Sequence, residues 1–289
     1  MIYINEYKYN QISYINGVEG TKVTHLDKLE NQSIFILREA YKKFDKLAVL
    51  WSMGKDSTVL LWLARKAFFG RVPFEAVHID TTFKFPEMYA YREKYAKEWN
   101  LNLLVGVNQA AIDRGVNYQN NDPVTVCHEL KTVGLQQMIA TKKWNGLIVG
   151  IRRDEDGTRA KEKFFSPRNI DFEWDYKDQP PELWSQFQSD YDKDTHVRIH
   201  PLLEWSEIDV WQYVKRENLP VVSLYFAKNG KRYRTLGCQP ITKPVDSDAD
   251  TIDKIIEELK NTKISERVGR EQDHSQRYAM QKLRAKGYM

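Results

Sequence analysis

Six residues, Ser52-Met53-Gly54-Lys55-Asp56-Ser57, hold the chain's most concentrated phosphate-binding chemistry. They stand between the apolar run Leu47–Trp51 and the run Thr58–Ala64. A buried strand, a tight turn and a helix in that order would gather backbone N–H groups at a helix N-terminus. Donors without intrahelical partners and the positive end of the helix dipole favour an anion there. The usual phosphate loop needs a glycine where Val49 stands and a Ser or Thr where Asp56 stands, so this loop is of another kind. The plain alternative is an ordinary strand–helix corner.

Two further clusters follow apolar runs. Asp80-Thr81-Thr82 comes after Phe74–Ile79, and Arg152-Arg153-Asp154-Glu155 after Gly146–Ile151. Arg152 and Arg153 offer planar donors suited to an oxyanion or a phosphate, and Asp154 and Glu155 would orient them. His78 and Asp80 share one strand face by the period of two. Asp80, at the strand end, suits a nucleotide or its metal, whereas His78 reads as a core-edge histidine holding a hydrogen bond.

The elements that must position these groups alternate. Apolar spacing from Leu26 to Phe44 predicts a helix capped at Thr24-His25-Leu26-Asp27. Strands are expected at 47–51, 74–80, 101–107 and 146–151, with helices at 56–68, from Pro86 onward, and at 128–143. Such alternation predicts an α/β fold: a doubly wound, mostly parallel sheet with helices on both faces. Ligands then bind beyond the C-terminal strand ends, at a switch point. Three polar clusters meeting at that edge are hard to explain as packing. After 165 the alternation breaks into an acidic, aromatic stretch, followed by a strand near 196–203, a helix capped by Ser206-Glu-Ile-Asp209, a turn-rich loop at 230–237 and a helix at 249–261. The organisation expected is an extension at 1–22, an α/β domain carrying the phosphate loop at 23–220, and a C-terminal helical and loop extension at 221–289 that completes the site.

A length of 289 residues suits one large domain with an appendage. The N-terminus lacks a signal peptide's layout and no apolar run is long enough for a bilayer, so no membrane role is expected. Two cysteines, Cys127 and Cys238, exclude a disulfide framework and an iron–sulfur cluster within one subunit, and a cytoplasmic setting is expected. The net charge is +4. Residues 171–194 carry eight acidic and two basic side chains, whereas 263–289 carry seven basic and three acidic. That basic tail suits phosphates, a nucleic acid or an acidic partner, or is simply solvated.

The motifs together resemble the small, ATP-handling subunit of heterodimeric sulfate adenylyltransferase. That family lies within the phosphoadenylylsulfate-reductase-like ATP pyrophosphatases, whose fold is of the adenine nucleotide alpha-hydrolase type. The resemblance runs from Thr24-His-Leu-Asp-Lys-Leu-Glu30 through Ser52–Ser57 and His78-Ile-Asp80 with Lys84-Phe85. It continues through Arg152–Glu155 with Arg159-Ala-Lys-Glu162 and Pro181–Trp184, and ends in Arg234-Thr-Leu-Gly-Cys238 and Ser265-Glu-Arg267 with Gly269-Arg270. The chain departs from the family pattern at Ile151, at Gln239 and in the short turn 226–231. It also has no cysteine after Cys238, which speaks against a thiol-dependent reductase.

The resemblance implies attack of an oxyanion on the α phosphorus of ATP with loss of pyrophosphate. It implies that the amides of Ser52, Gly54 and Asp56 and the hydroxyl of Ser57 hold the β and γ phosphates, with Lys55 adding charge. Mg²⁺ would bridge phosphate oxygens near Asp56, directly or through water; the alternative for Asp56 is a helix N-cap. Lys55, Arg152, Arg153 and Arg234 are the expected catalytic cations, Asp80 a nucleotide contact, and Arg267 and Arg270 groups that close over the nucleotide or dock the tail. Cys238 reads as a packed thiol. Sulfate is the expected acceptor, with a GTPase large subunit as partner. Since the chain has no Gly-x-x-x-x-Gly-Lys-Ser/Thr, the GTPase must be another polypeptide. The competing readings are ATP activation for sulfur insertion into nucleic acid (DNA phosphorothioation) with sulfur-transfer proteins, and a non-catalytic nucleotide-binding module; an oligomer is compatible with each.

Overall fold

The protein is described from a computed structural model, which covers residues 23–157, 159–175, 177, 179, 181–182, 187, 196–264 and 266–270. The expected extension 1–22, Trp184, Ser265 and the tail beyond 270 lie outside the described residues.

Helix α1 (His25–Lys43) starts as its sequence predicts, with Thr24 and Asp27 forming a reciprocal capping box. Strand β1 (Leu47–Leu50) is buried throughout and leads through the 52–54 turn into α2 (Lys55–Ala67). Then follow β2 (Glu75–Ile79), α3 (Pro86–Glu98) with proline in its first turn, and β3 (Leu103–Gly106). The segment to the next strand holds α4 (Gln109–Asp113), α5 (Pro123–Cys127), a π-helical turn (His128–Val133) and α6 (Gly134–Lys142). The helix expected at 128–143 therefore begins one turn earlier, where Asp122 caps it and Pro123 needs no amide partner.

Strand β4 (Gly146–Ile148) returns to the far side of β1, and the sheet order is β3-β2-β1-β4-β6-β5, counting β5 (Phe165–Arg168) and β6 (His196–Ile199). All neighbours are parallel except β5, which lies antiparallel on β6. The edge strand β5, which falls just before the acidic, aromatic stretch that begins at 172, was not among the expected strands. Pro167 sits in it, which an edge tolerates because one side of the strand needs no ladder donors.

Helix α7 (Glu207–Arg216) opens with a second capping box, Ser206 with Asp209. It packs between α2 and α8 (Ile252–Asn261), while α2 also packs on α1 and α6 lies against β3, so helices clothe the sheet. A small ribbon pairs β7 (Lys231–Arg232) with β8 (Val245–Asp246). Among the described residues no helix is long and apolar enough to cross a membrane.

Since β2 and β3 lie on one side of β1 and β4 on the other, the strand order reverses at the β1–β4 boundary. The 52–57 loop leaves the sheet at that reversal, where an open α/β sheet forms its ligand crevice.

Candidate active site

The loop is closed by its own hydroxyls. Ser57 Oγ accepts from the Ser52 amide at 3.3 Å and lies 3.1 Å from Ser52 Oγ, which in turn accepts from the Gly54 amide at 3.4 Å. Met53 is held at φ 61°, a left-handed conformation uncommon outside glycine and typical of functional turns. Gly54, the N-cap of α2, brings no capping side chain. The first helical amide, of Lys55, instead donates to the buried Tyr225 hydroxyl at 2.9 Å. The next two amides, of Asp56 and Ser57, have no carbonyl four residues back to reach. Gly150, just past β4, approaches them so closely that a Cβ there would stand 3.3 Å from Ser57 N and from the Asp56 carbonyl carbon. A glycine at 150 thus lets β4 lie alongside the start of α2.

Around this loop a web of charges is buried. Lys55 and Arg152 are each 1% exposed. Lys55 Nζ donates to Asp56 at 3.1 Å and to Glu266; Arg152 donates to Asp56, to Glu266 and, at 2.8 Å, to Asp154. Burial alone would raise the Glu266 carboxyl, but Arg152 and Lys55 outweigh it and hold the group down at about 2. Burial likewise works against Arg152, yet Glu266, Asp154 and Glu155 hold it above its ordinary value. Both partners are therefore ionised throughout the neutral range.

A second wall comes from the segment after residue 230. Arg270 lays its guanidinium into the turn Thr235-Leu236-Gly237, donating to Thr235 Oγ1 at 2.6 Å and to the Leu236 carbonyl. A Cβ on Gly237 would fall 1.6 Å from an Arg270 nitrogen, so the turn accepts that arginine only because residue 237 has no side chain. Arg267 pairs with Glu155 at 2.7 Å. Lys84, Lys131 and Arg159 also line the cleft. Lys131 is part-exposed along its length while its ammonium lies deep. Burial, and then the charge of Lys84, push it down to about 7. Arg159 is tied to the buried Glu162, which Arg168 holds at 2.9 Å from strand β5. His78 lines the cleft too, its Nδ1 3.1 Å from the Trp51 carbonyl; burial, then Lys84, push it down to about 3 and keep it neutral.

Ser52, Gly54, Lys55, Asp56, Ser57, Arg267 and Arg270 are brought together on one cleft, with Arg152 immediately behind Asp56 and Glu266. Three expected residues are not. The Asp80 carboxylate turns back on its own loop, accepting from the Thr82 amide and the Tyr89 hydroxyl at 2.8 Å each and from Arg92 at 3.1 Å. Thr82, at φ 63°, makes that turn. Arg153 points to Glu204 and the Phe164 ring, with its side chain 33% exposed. Its neighbour Arg152 takes the inward direction, toward Asp56 and Glu266. Arg234 stands behind the wall, held by Glu207 at 2.7 Å and by the Ile264 carbonyl at 2.7 Å.

Conversely, Glu266, Tyr225, Lys84, Lys131 and Gly150 line the cleft without having been singled out for it. Only Glu266 and Lys84 lay inside quoted motifs. Cys127 and Cys238 are both buried and free.

Comparison with known proteins gives the context of this geometry. The model of the phosphoadenosine phosphosulfate reductase domain matches residues 46–244. Sulfate adenylyltransferase subunit 2 of Citrifermentans bemidjiense is 41% identical over 298 residues, covering 93% of this chain and 99% of the relative. The protein of the same name from Pseudomonas fluorescens is 39% identical, covering 92% and 99%. In fold, the chain is similar to FMN adenylyltransferase of Candida glabrata in complex with ATP. That match has TM-score 0.53 and 17% identity, with 80% of this chain and 67% of the other covered. It is also similar to phosphoadenylyl-sulfate (PAPS) reductase of Candida auris in its phosphate complex, with TM-score 0.51, 17% identity, and 75% and 95% covered. The agreement with both curated relatives extends over nearly the whole of each, and the protein belongs to the sulfate adenylyltransferase subunit 2 family.

Proposed function

We propose that the protein cleaves ATP between its α and β phosphates and transfers AMP to sulfate, forming adenylyl sulfate and pyrophosphate. The observation that carries this reading is the pair of buried cations, Lys55 and Arg152, at the N-terminus of α2 and at the switch point of the sheet. Charge placed there in advance stabilises a leaving pyrophosphate without reorganisation when the bond breaks. In the reaction a sulfate oxygen bonds to the α phosphorus while the bridge to the β phosphorus breaks, and its electron pair leaves on pyrophosphate. No proton has to move, which suits a cleft whose histidine is neutral and buried. The catalytic task is positioning and charge neutralisation.

The loop amides, Ser52 and Ser57 would grip the β and γ phosphates. Lys84, Lys131 and Arg270 form a second cationic group that lines the same cleft. That second group would serve the sulfate dianion. Among the described residues no three His, Cys, Asp or Glu side chains are placed to build a metal site from protein alone. The donor set fits a Mg²⁺ that arrives on the nucleotide, which needs only one or two carboxylates. Asp56 would hold it, and the ion would neutralise charge on the phosphates.

The names of the curated relatives favour sulfate over nucleic acid as acceptor and imply a second subunit. Adenylyl sulfate formation is strongly uphill, so we assign that partner the role of a GTPase. The two free thiols suit a cytoplasmic setting. The test is pyrophosphate release from Mg-ATP by the purified chain, with and without sulfate and the GTPase subunit. Release that is stimulated by sulfate and dependent on GTP is expected; release indifferent to sulfate would overturn the reading.

A further inference from the structure

The phosphate-facing end of α2 gives its first amide to a side chain. The Lys55 N–H donates to the Tyr225 hydroxyl oxygen at 2.9 Å. Tyr225 closes a 3₁₀ turn, Ser223–Tyr225, beyond α7. Helix α7 packs on α2, and its Trp211 meets the Tyr225 ring edge-on, with centroids 5.4 Å apart and planes at 85°. The tyrosine is 1% exposed, so this packing fixes its hydroxyl in the cleft that it lines.

A phenol oxygen can accept one hydrogen bond and donate another. Among the described residues the Tyr225 proton has no acceptor, because the partner of its oxygen is the Lys55 amide, itself a donor. Burial pushes the phenol up, so it keeps that proton at neutral pH. A buried donor without an acceptor is costly, and a ligand that accepts would relieve it. Gly54 leaves the space for one. A Cβ there would stand 3.3 Å from Ser52 Oγ and 3.5 Å from the Tyr225 oxygen, so the missing side chain leaves a gap flanked by both hydroxyls. Resting on the ATP reading of the cleft, we propose that Tyr225 is a phosphate ligand. Its hydroxyl accepts from the Lys55 amide and donates to a phosphate oxygen at the pyrophosphate end of the nucleotide, taking the place of the amide it covers. The positive end of the helix thereby acts through the hydroxyl, and a donor polarised by an N–H is a stronger one.

The full chain is titrated calorimetrically with magnesium pyrophosphate and with AMP. Tyr225→Phe keeps the ring against Trp211 and removes the oxygen alone. It should bind pyrophosphate about tenfold more weakly than wild type, the effect of losing a hydrogen bond to a charged group, and AMP within about twofold of wild type. A hydroxyl that merely caps the helix gives the opposite sign. Its loss would free the Lys55 amide for the phosphate, and pyrophosphate would bind equally or more tightly. That result, or an equal loss for AMP, overturns the proposal. Proton NMR of wild type with ring-labelled tyrosine decides without relying on the fold of a variant. The Tyr225 hydroxyl proton should move downfield when pyrophosphate is added; a resonance that stays unmoved or unobservable overturns the proposal. If wild type binds neither pyrophosphate nor Mg-ATP, the ATP reading fails and the proposal with it. Tight binding by wild type and by Tyr225→Phe alike sinks the ligand role alone.

Discussion

Arg152→Met tests the charge web directly. The guanidinium is 1% exposed and meets three carboxylates, whose side chains are 20% (Asp56), 39% (Asp154) and 8% (Glu266) exposed. Stranding one member of a buried ion pair costs roughly 3–5 kcal/mol. Asp56 and Asp154 are open enough to rehydrate, so most of that cost falls on Glu266, which keeps Lys55 as partner. The figure therefore lies near the lower end. The expected loss is thus about 3 kcal/mol, read as a lower urea midpoint. The double variant Arg152→Met/Glu266→Gln removes the stranded charge and should recover at least about 1 kcal/mol of it. An Arg152→Met protein within about 0.5 kcal/mol of wild type, or strictly additive single variants, would refute the reasoning.

Arg153→Ala should keep pyrophosphate release within about threefold of wild type, since the side chain faces Glu204 and Phe164 at the surface; a loss of turnover on the scale of an active-site cation would return Arg153 to the cleft. Gly237→Ala places a Cβ 1.6 Å from Arg270, which must leave its turn. Because that arginine is part-exposed, stability should fall by only about 1 kcal/mol while turnover drops tenfold or more, a split that thermal melting and the release assay would show. Lys131, lowered from 10.5 to about 7, binds its proton more weakly folded than unfolded. Stability should therefore rise with pH between about 7 and 10.5, and that part of the slope should vanish in Lys131→Met. The same lysine should take up protons when Mg-ATP or sulfate binds at pH 8, seen as a buffer-dependent calorimetric enthalpy absent from Lys131→Met.

The parallel core was legible because each strand–helix unit is local. A buried apolar run, a turn and an amphipathic helix lie within some thirty residues, and both capping boxes announce themselves in four. The edge strand β5 was not legible. Phe165-Ser-Pro-Arg168 has no alternating pattern, and it becomes a strand by pairing with β6, some thirty residues later. The start of the long helical segment was missed for a smaller reason, since Asp122-Pro123 is as good a turn signal as a helix start until the following turns are packed.

At the site, the same distinction explains both the misplaced and the missing residues. Position after a strand end told which residues are near the crevice but not which way each turns. Of two consecutive arginines, burial chose Arg152; Asp80 was captured by Thr82, Tyr89 and Arg92 before it could face the cleft. Glu266 lies 211 residues from Lys55 and 114 from Arg152, so no local pattern relates them. Electrostatics does relate them. Two cations buried behind a phosphate loop with only the part-exposed Asp56 and Asp154 beside them lack a buried counter-charge, and charge in a protein interior demands one. Counting buried charge at a predicted loop therefore calls for one more carboxylate from elsewhere in the chain.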